Sequence, residues 1–170
     1  MSSDPALLLE APFGSFPAII AAWGEARGEA PALYDGTTRL SWRETADRVE
    51  RIAARLQADG LQRGQAVAIL GTSSVNYALV YMAAIRAGGC AAPLTTSASP
   101  DQLRGMAADS GAIHLFIDRA KLTELSDFRL PIEHQIVLDE ELDSFMAPPG
   151  TQAAPFEPED KDPFNIIYSS

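Results

Sequence analysis

Ala66-Val67-Ala68-Ile69-Leu70 is an unbroken apolar run, followed by Gly71-Thr72-Ser73-Ser74 and then by a helically spaced stretch from about Val75 to Arg86. A run so short and so uniformly apolar suits a strand buried on both faces. The helix that follows places Ala78, Leu79, Met82 and Ile85 on one stripe and ends before Gly88-Gly89. Cys90-Ala91-Ala92-Pro93 then reads as a second short strand, closed by Pro93. Strand, helix, strand in this order is the unit of a mostly parallel sheet. The fold class is therefore α/β, a mostly parallel sheet with helices on both faces.

The flanks extend this pattern. Upstream, a first helix is predicted from Pro17 to Arg27, with Gly28 beyond its end. Ala32-Leu33-Tyr34 and Thr37-Thr38-Arg39-Leu40 flank Asp35-Gly36, which predicts a hairpin with a two-residue turn. Ser41-Trp42-Arg43-Glu44 is a capping box. The helix it opens carries Trp42, Val49, Ile52, Ala53 and Leu56 on one face and stops at Gly60. Trp42 is expected to pack against the sheet or the Asp35-Gly36 hairpin, in a structural role. Downstream, Ser99-Pro100-Asp101-Gln102 is a second capping box, opening a helix to about Asp109. Three further strands are predicted at Ile113–Ile117, Gln135–Leu138 and Phe164–Tyr168.

Composition narrows the partners. Hydrophobic residues make up 46% of the 170 and charged residues 21%, the balance of a soluble domain with a real core. Thirteen basic against 23 acidic side chains give a net charge of −10, which argues against nucleic acid as a partner. The acids concentrate in the last third, at Asp139-Glu140-Glu141-Leu142-Asp143 and Glu157-Pro158-Glu159-Asp160, where solvated loops are expected. The second cluster follows Ala147-Pro148-Pro149-Gly150, so residues 147–162 read as an extended connector. One cysteine and two histidines make neither an internal disulfide nor a zinc site. The start has no leader pattern and no apolar run is long enough for a membrane span, which gives the expectation of a cytoplasmic protein without a membrane partner.

Candidate chemistry is sparse. Gly71-Thr72-Ser73-Ser74 sits between a strand and a helix, where amides can cradle a phosphate, but it lacks the glycines and lysine of a P-loop. The plainer reading is that Ser73 or Ser74 caps the next helix. His114 reads as a satisfied core or edge histidine, His134 as a loop residue and Cys90 as a buried inert thiol.

The ordered segments carry a resemblance from about Phe13 to Ser170. Leu40-Ser41-Trp42-Arg43-Glu44-Thr45, Gly60-Leu61-Gln62-Arg63-Gly64-Gln65 leading into Ala66–Ile69, and Ala83-Ala84-Ile85-Arg86-Ala87-Gly88-Gly89-Cys90-Ala91-Ala92-Pro93-Leu94 resemble successive signatures of the adenylate-forming enzymes. These are the AMP-dependent synthetases and ligases, and the start Tyr168-Ser169-Ser170 is most like acyl-CoA synthetases of the 4-coumarate-CoA-ligase type. Gln65 stands where the family usually has aspartate. Asp162–Ser170 resembles the lead into the family's ATP-phosphate loop.

The resemblance implies that residues 1–170 are the N-terminal portion of an AMP-binding domain, cut at the phosphate loop and without the C-terminal lid. It implies a parent that adenylates a small-molecule carboxylic acid with ATP and Mg2+ and transfers the acyl group to coenzyme A. Ser169 and Ser170 would be the first loop hydroxyls; no catalytic residue and no metal ligand is assigned. The 170 residues alone should be inactive and bind none of these cofactors tightly. Self-association of the parent into a homo-oligomer is left open. The competing reading is a stand-alone flavodoxin-like domain with a nucleotide near Gly71–Ser74, or an interaction domain using an exposed apolar face.

Overall fold

The structure, a computed structural model, describes residues 4–10, 14–125 and 128–168. In chain order its elements are α1 (Pro5–Leu9), α2 (Phe16–Ala26), β1 (Pro31–Tyr34), β2 (Arg39–Ser41), α3 (Trp42–Ala58), β3 (Ala66–Leu70) and α4 (Val75–Arg86). There follow β4 (Cys90–Pro93), α5 (Pro100–Ser110), β5 (His114–Ile117), α6 (Arg119–Glu124), β6 (His134–Val137) and α7 (Leu142–Phe145). The main sheet has the order β4-β3-β5-β6, and every pairing in it is parallel. The α/β reading with a mostly parallel sheet holds.

Every residue of β3 is buried, as its uniform apolar character requires. Its side chains divide by alternation, as a pleated strand demands. Val67 and Ile69 join one core with Phe116 and with Ile52 and Leu56 of α3 and Leu79 and Ala83 of α4. Ala66, Ala68 and Leu70 join a second core with Leu115, Ile117 and with Leu103 and Ala107 of α5. Helices thus cover both faces of the sheet.

Local signals explain the helices. Ser41 accepts from the Glu44 amide while Glu44 Oε2 takes the Ser41 N–H at 2.8 Å, and Ser99 with Gln102 repeats the arrangement at the start of α5. Gly60, with φ +91, turns the chain just past the end of α3. The short helices α1, α6 and α7 lack the apolar periodicity that sequence reading relies on. Asp118 caps α6 by accepting from the Lys121 amide at 2.8 Å.

Three expectations need correction, and a fourth gains an unexpected partner. The β1–β2 hairpin closes with Tyr34 opposite Arg39, so its loop spans Asp35–Thr38 and not two residues. The Asp35 carboxylate holds that wider loop by accepting from the amides of Thr37 and Thr38, at 3.0 and 2.8 Å. Trp42 stacks on Trp23 of α2, a partner the sequence did not suggest, with ring centroids 5.8 Å apart, while its amide donates to the Ala30 carbonyl at 3.0 Å beside β1. Phe164–Tyr168 is not a strand: it makes a single parallel bridge, Asn165 to Ala91 of β4. His134 is no loop residue but opens β6, opposite His114.

The acidic clusters are largely engaged. Glu141 accepts from the Val137 amide at 2.7 Å, Asp139 from the Arg119 amide at 2.9 Å, Glu140 pairs with Arg119, and Asp143 pairs with Arg48 at 2.9 Å. Residues 147–158 form no helix or strand, turn at Pro148–Thr151 where the Thr151 amide donates to the Pro148 carbonyl at 3.1 Å, and are strapped to the helices. Ala147 exchanges hydrogen bonds with Arg51, Ala154 exchanges them with Gln57, and Ala153 donates to Glu50 at 3.0 Å. Arg86 pairs with the same Glu50 at 2.6 Å and donates to the carbonyls of Ala153 and Ala154. Ala153 is buried.

Candidate functional site

In an open parallel sheet, ligands bind beyond the carboxyl ends of the strands. Here that edge is formed by Gly71–Ser74 after β3, the Thr95–Ser99 stretch beyond β4, Asp118 after β5 and Leu138–Glu141 after β6.

Gly71–Ser74 is committed to the fold. Ser74 Oγ accepts from the Tyr77 amide at 3.1 Å and caps α4, the plainer of the two roles expected for this loop. The Thr72 amide donates to Asp118 Oδ2 at 2.9 Å. The Val75 amide donates to Asp35 Oδ2, also at 2.9 Å. Hydrogen bonds from the amides of Thr38, Val75 and Thr37 hold the Asp35 carboxyl far below the usual carboxylate range. Two of the amides that a phosphate would use therefore already donate to side-chain carboxyl oxygens of the fold. A Cβ at Gly71 would stand 3.1 Å from Asp118 Oδ2, so the loop and the acid are in close contact. This arrangement removes the basis for a nucleotide at Gly71–Ser74.

The remaining feature is the segment Asp162–Tyr168. Ala91 of β4 donates to the Phe164 carbonyl at 3.0 Å, and the Ile166 amide donates back to the Ala91 carbonyl at 2.8 Å. The bridge is parallel, so the segment runs in the β4 direction, toward the carboxyl edge. Ile166 and Tyr168 pack against the second core, while Phe164 and Ile167 are exposed, at 59% and 78%. Ser169 and Ser170, the expected loop hydroxyls, lie outside the described residues. The Tyr168 hydroxyl donates to the Met106 carbonyl at 2.9 Å and stands 3.2 Å from Asp109 Oδ2. Sequence reading met Tyr168 only as the first residue of the Tyr-Ser-Ser signature and gave it no contact, and it did not single out Asp118. An apolar strand followed by aspartate is a signal for the second, since Asp118 is a helix cap; nothing local points to the first.

The other titratable groups are structural. Cys90 is fully buried, and burial pushes its thiol up, which keeps it protonated. His114 is fully buried, with Nε2 at 3.3 Å from Asp59 Oδ2 and its ring stacked on His134. It is only half satisfied, because among the described residues no partner meets its Nδ1. Among the described residues no group of three or more His, Cys, Asp and Glu side chains is placed to hold a metal ion. No helix among them is long and apolar enough to cross a membrane. A cavity of about 570 Å³ lies beside β4, lined by Phe16, Tyr81, Phe156 and Phe164 and by Glu159 and Asp162, the last two paired with Arg63.

The parallel sheet with helices on both faces defines an α/β domain. The chain belongs to the AMP-binding enzyme family, whose match runs over residues 20–170. Surfactin synthase subunit 3 of Bacillus subtilis is 30% identical over 146 residues, which is 85% of this chain and 11% of that protein. Salicylyl-CoA synthase / salicylate adenylyltransferase of a Streptomyces species is 34% identical over 77 residues, 45% of this chain and 13% of that protein. The solved anthranilate CoA ligase AuaEII, in complex with anthranoyl-AMP, superimposes with a TM-score of 0.82 at 19% identity, over 100% of this chain and 33% of its own. The N-terminal domain of FACL13 from Mycobacterium tuberculosis gives a TM-score of 0.77 at 20% identity, over 89% of this chain and 40% of its own. The chain thus spans roughly a tenth of these curated relatives and a third or more of these solved chains. The resemblance drawn from the ordered signatures is borne out at the level of the family and the fold.

Proposed function

We propose that this chain is the N-terminal sheet of an enzyme that adenylates a small carboxylic acid with ATP and Mg2+ and passes the acyl group to coenzyme A. One observation carries the reading. In a chain of the AMP-binding family, the segment ending in Tyr168 is bonded parallel to β4 and runs toward the carboxyl edge. By the resemblance, Ser169 and Ser170 then begin the loop that holds the nucleotide phosphates.

ATP supplies a good leaving group for an otherwise unreactive carboxylate oxygen. The protein's part is to orient the two reactants and to set hydroxyl and amide donors where charge develops on the departing pyrophosphate. The described residues provide the frame for those donors, while Gly71–Ser74 does not offer a rival phosphate site. The solved CoA ligase with bound anthranoyl-AMP favours coenzyme A as acceptor and an aryl or acyl acid as substrate. The similarity to surfactin synthase subunit 3 over 85% of this chain favours a second reading, in which a peptide synthetase uses the activated acid. The acceptor chemistry fits a cytoplasmic setting.

The test is ATP–pyrophosphate exchange by the polypeptide of the complete reading frame, with a panel of aryl and fatty acids, followed by assay for the coenzyme A thioester. Exchange dependent on one acid class, slowed about 100-fold by Ser169→Ala or Ser170→Ala, is the expected result. Exchange without thioester moves the protein to the second reading. Exchange by residues 1–170 alone, unaffected by either serine substitution, would overturn the assignment of the loop.

A further inference from the structure

Segment Asp162–Tyr168 meets β4 through one bridge only, and such a contact specifies register weakly. A slip by one residue would turn Ile166 and Tyr168 outward and Ile167 inward. The segment is nevertheless fixed at both ends by side chains of other elements. At its start, Arg63 grips Asp162 with two hydrogen bonds, Nε to Oδ1 at 2.9 Å and Nη2 to Oδ2 at 2.7 Å. The same Nη2 meets Glu159 at 3.0 Å, and the guanidinium carbon lies 5.2 Å from the Phe156 ring centroid. Pro163 sits against Gly64, where a Cβ would stand 3.4 Å from its Cγ. At the other end, the Tyr168 hydroxyl donates to the Met106 carbonyl of α5 at 2.9 Å and lies near Asp109.

As a stabilising device the Arg63 grip is weak, because the Arg63 side chain is 47% exposed. As a locating device it is strong, since a two-pronged guanidinium–carboxylate contact admits one geometry. We infer that Arg63 and Tyr168 are positioning residues: together they set the register of residues 162–168 on β4, and so the point at which the following chain enters the carboxyl edge. The inference rests on the adenylation reading for its functional consequence, but not for its geometry. Arg63 lies in the turn before β3, and its partner follows it by 99 positions, so the turn and the approach to the loop are joined across the fold.

The experiment uses the polypeptide of the complete reading frame, wild type beside Tyr168→Phe and Arg63→Lys. Tyr168→Phe keeps the ring and removes one donor; Arg63→Lys keeps the charge and loses the two-pronged grip. Each is expected to raise KM for ATP about threefold to tenfold. KM for the acid and the thermal midpoint should stay near wild type. Unchanged KM for ATP in both variants, or an equal rise in both KM values, overturns the inference. If the wild type exchanges with no acid, the adenylation reading fails on its own, and amide hydrogen exchange in residues 1–170 decides the geometry. There the Ile166 amide should exchange faster in both variants, and equal rates in wild type and variants sink the positioning role.

Discussion

The indole of Trp42 stacks on that of Trp23, with the planes inclined by 25°. The contact ties the first turn of α3 to α2, and the Arg27 guanidinium lies over the Trp23 ring, 4.7 Å from its centroid. Both indoles are only half-buried, so the stack and not deep burial is the main contribution. Trp42→Ala should cost about 2 kcal/mol, below the figure of about 3–5 kcal/mol typical of a fully buried aromatic. In a denaturant titration, Trp23→Ala and Trp42→Ala together should cost about 1 kcal/mol less than the two single losses added. Strict additivity would show that the rings stabilise their helices independently.

Asp118 serves two elements with two oxygens. Oδ2 accepts from the Thr72 amide and Oδ1 from the Lys121 amide, and the side chain is buried. In Asp118→Asn one of those amides must face an NH2 group. The loss should be about 1–3 kcal/mol, the cost of a buried donor left without an acceptor. Urea titration of the variant checks it, and an unchanged midpoint would mean that the loop after β3 closes by other means.

Much of the frame was legible because it depends on near neighbours in sequence. The uniform run Ala66–Leu70, the two capping boxes and the stripe Leu79–Met82 each announce an element within a few residues. What failed depends on distant partners. Phe164–Tyr168 has strand composition but finds β4 on one side only, so one bridge forms where a ladder was expected. The Asp35 loop widens because its carboxylate also reaches Val75, 40 positions away. Trp42 has the helical spacing of a core residue, yet its partner belongs to α2. The candidate site was legible only by resemblance, since Tyr-Ser-Ser has no chemistry of its own and the brace behind it joins Arg63 to Asp162.

Burial lowers the pKa of His114, against the pull of its hydrogen bond to Asp59, and His134 and Arg55 add to the lowering. The neutral ring donates from Nε2 to Asp59; a proton on Nδ1 would be buried without an acceptor. The unfolded chain therefore binds this proton more readily than the folded one. Stability from this source is complete above an ordinary histidine value of about 6.5 and is lost as pH falls from there through the lowered folded value. Asp59 titrates in a separate, more acidic window: burial opposes its ionisation, but hydrogen bonds from Arg55 and His114 prevail and lower its pKa. The midpoint of thermal unfolding should fall between about pH 7 and pH 5, and His114→Phe should flatten that slope. An equal slope in the variant would assign the dependence to other groups.

Gly88 and Gly105 should respond to alanine with opposite signs. Gly88 has φ +90, a conformation that opposes any side chain, and a Cβ there would stand 2.8 Å from Phe156 Cδ2. Gly105 lies in the exposed middle of α5, and nothing stands within 4 Å of an added Cβ. Gly88→Ala should destabilise by about 2 kcal/mol or more, from strain and clash together. Gly105→Ala should stabilise by up to about 1 kcal/mol through helix propensity. Adding Phe156→Ala to Gly88→Ala separates the two causes. The clash disappears while φ stays positive, so the double variant should recover only part of the Gly88→Ala loss, beyond what Phe156→Ala costs alone. Full recovery would mean that the Phe156 ring, and not the backbone, is what requires glycine at this turn.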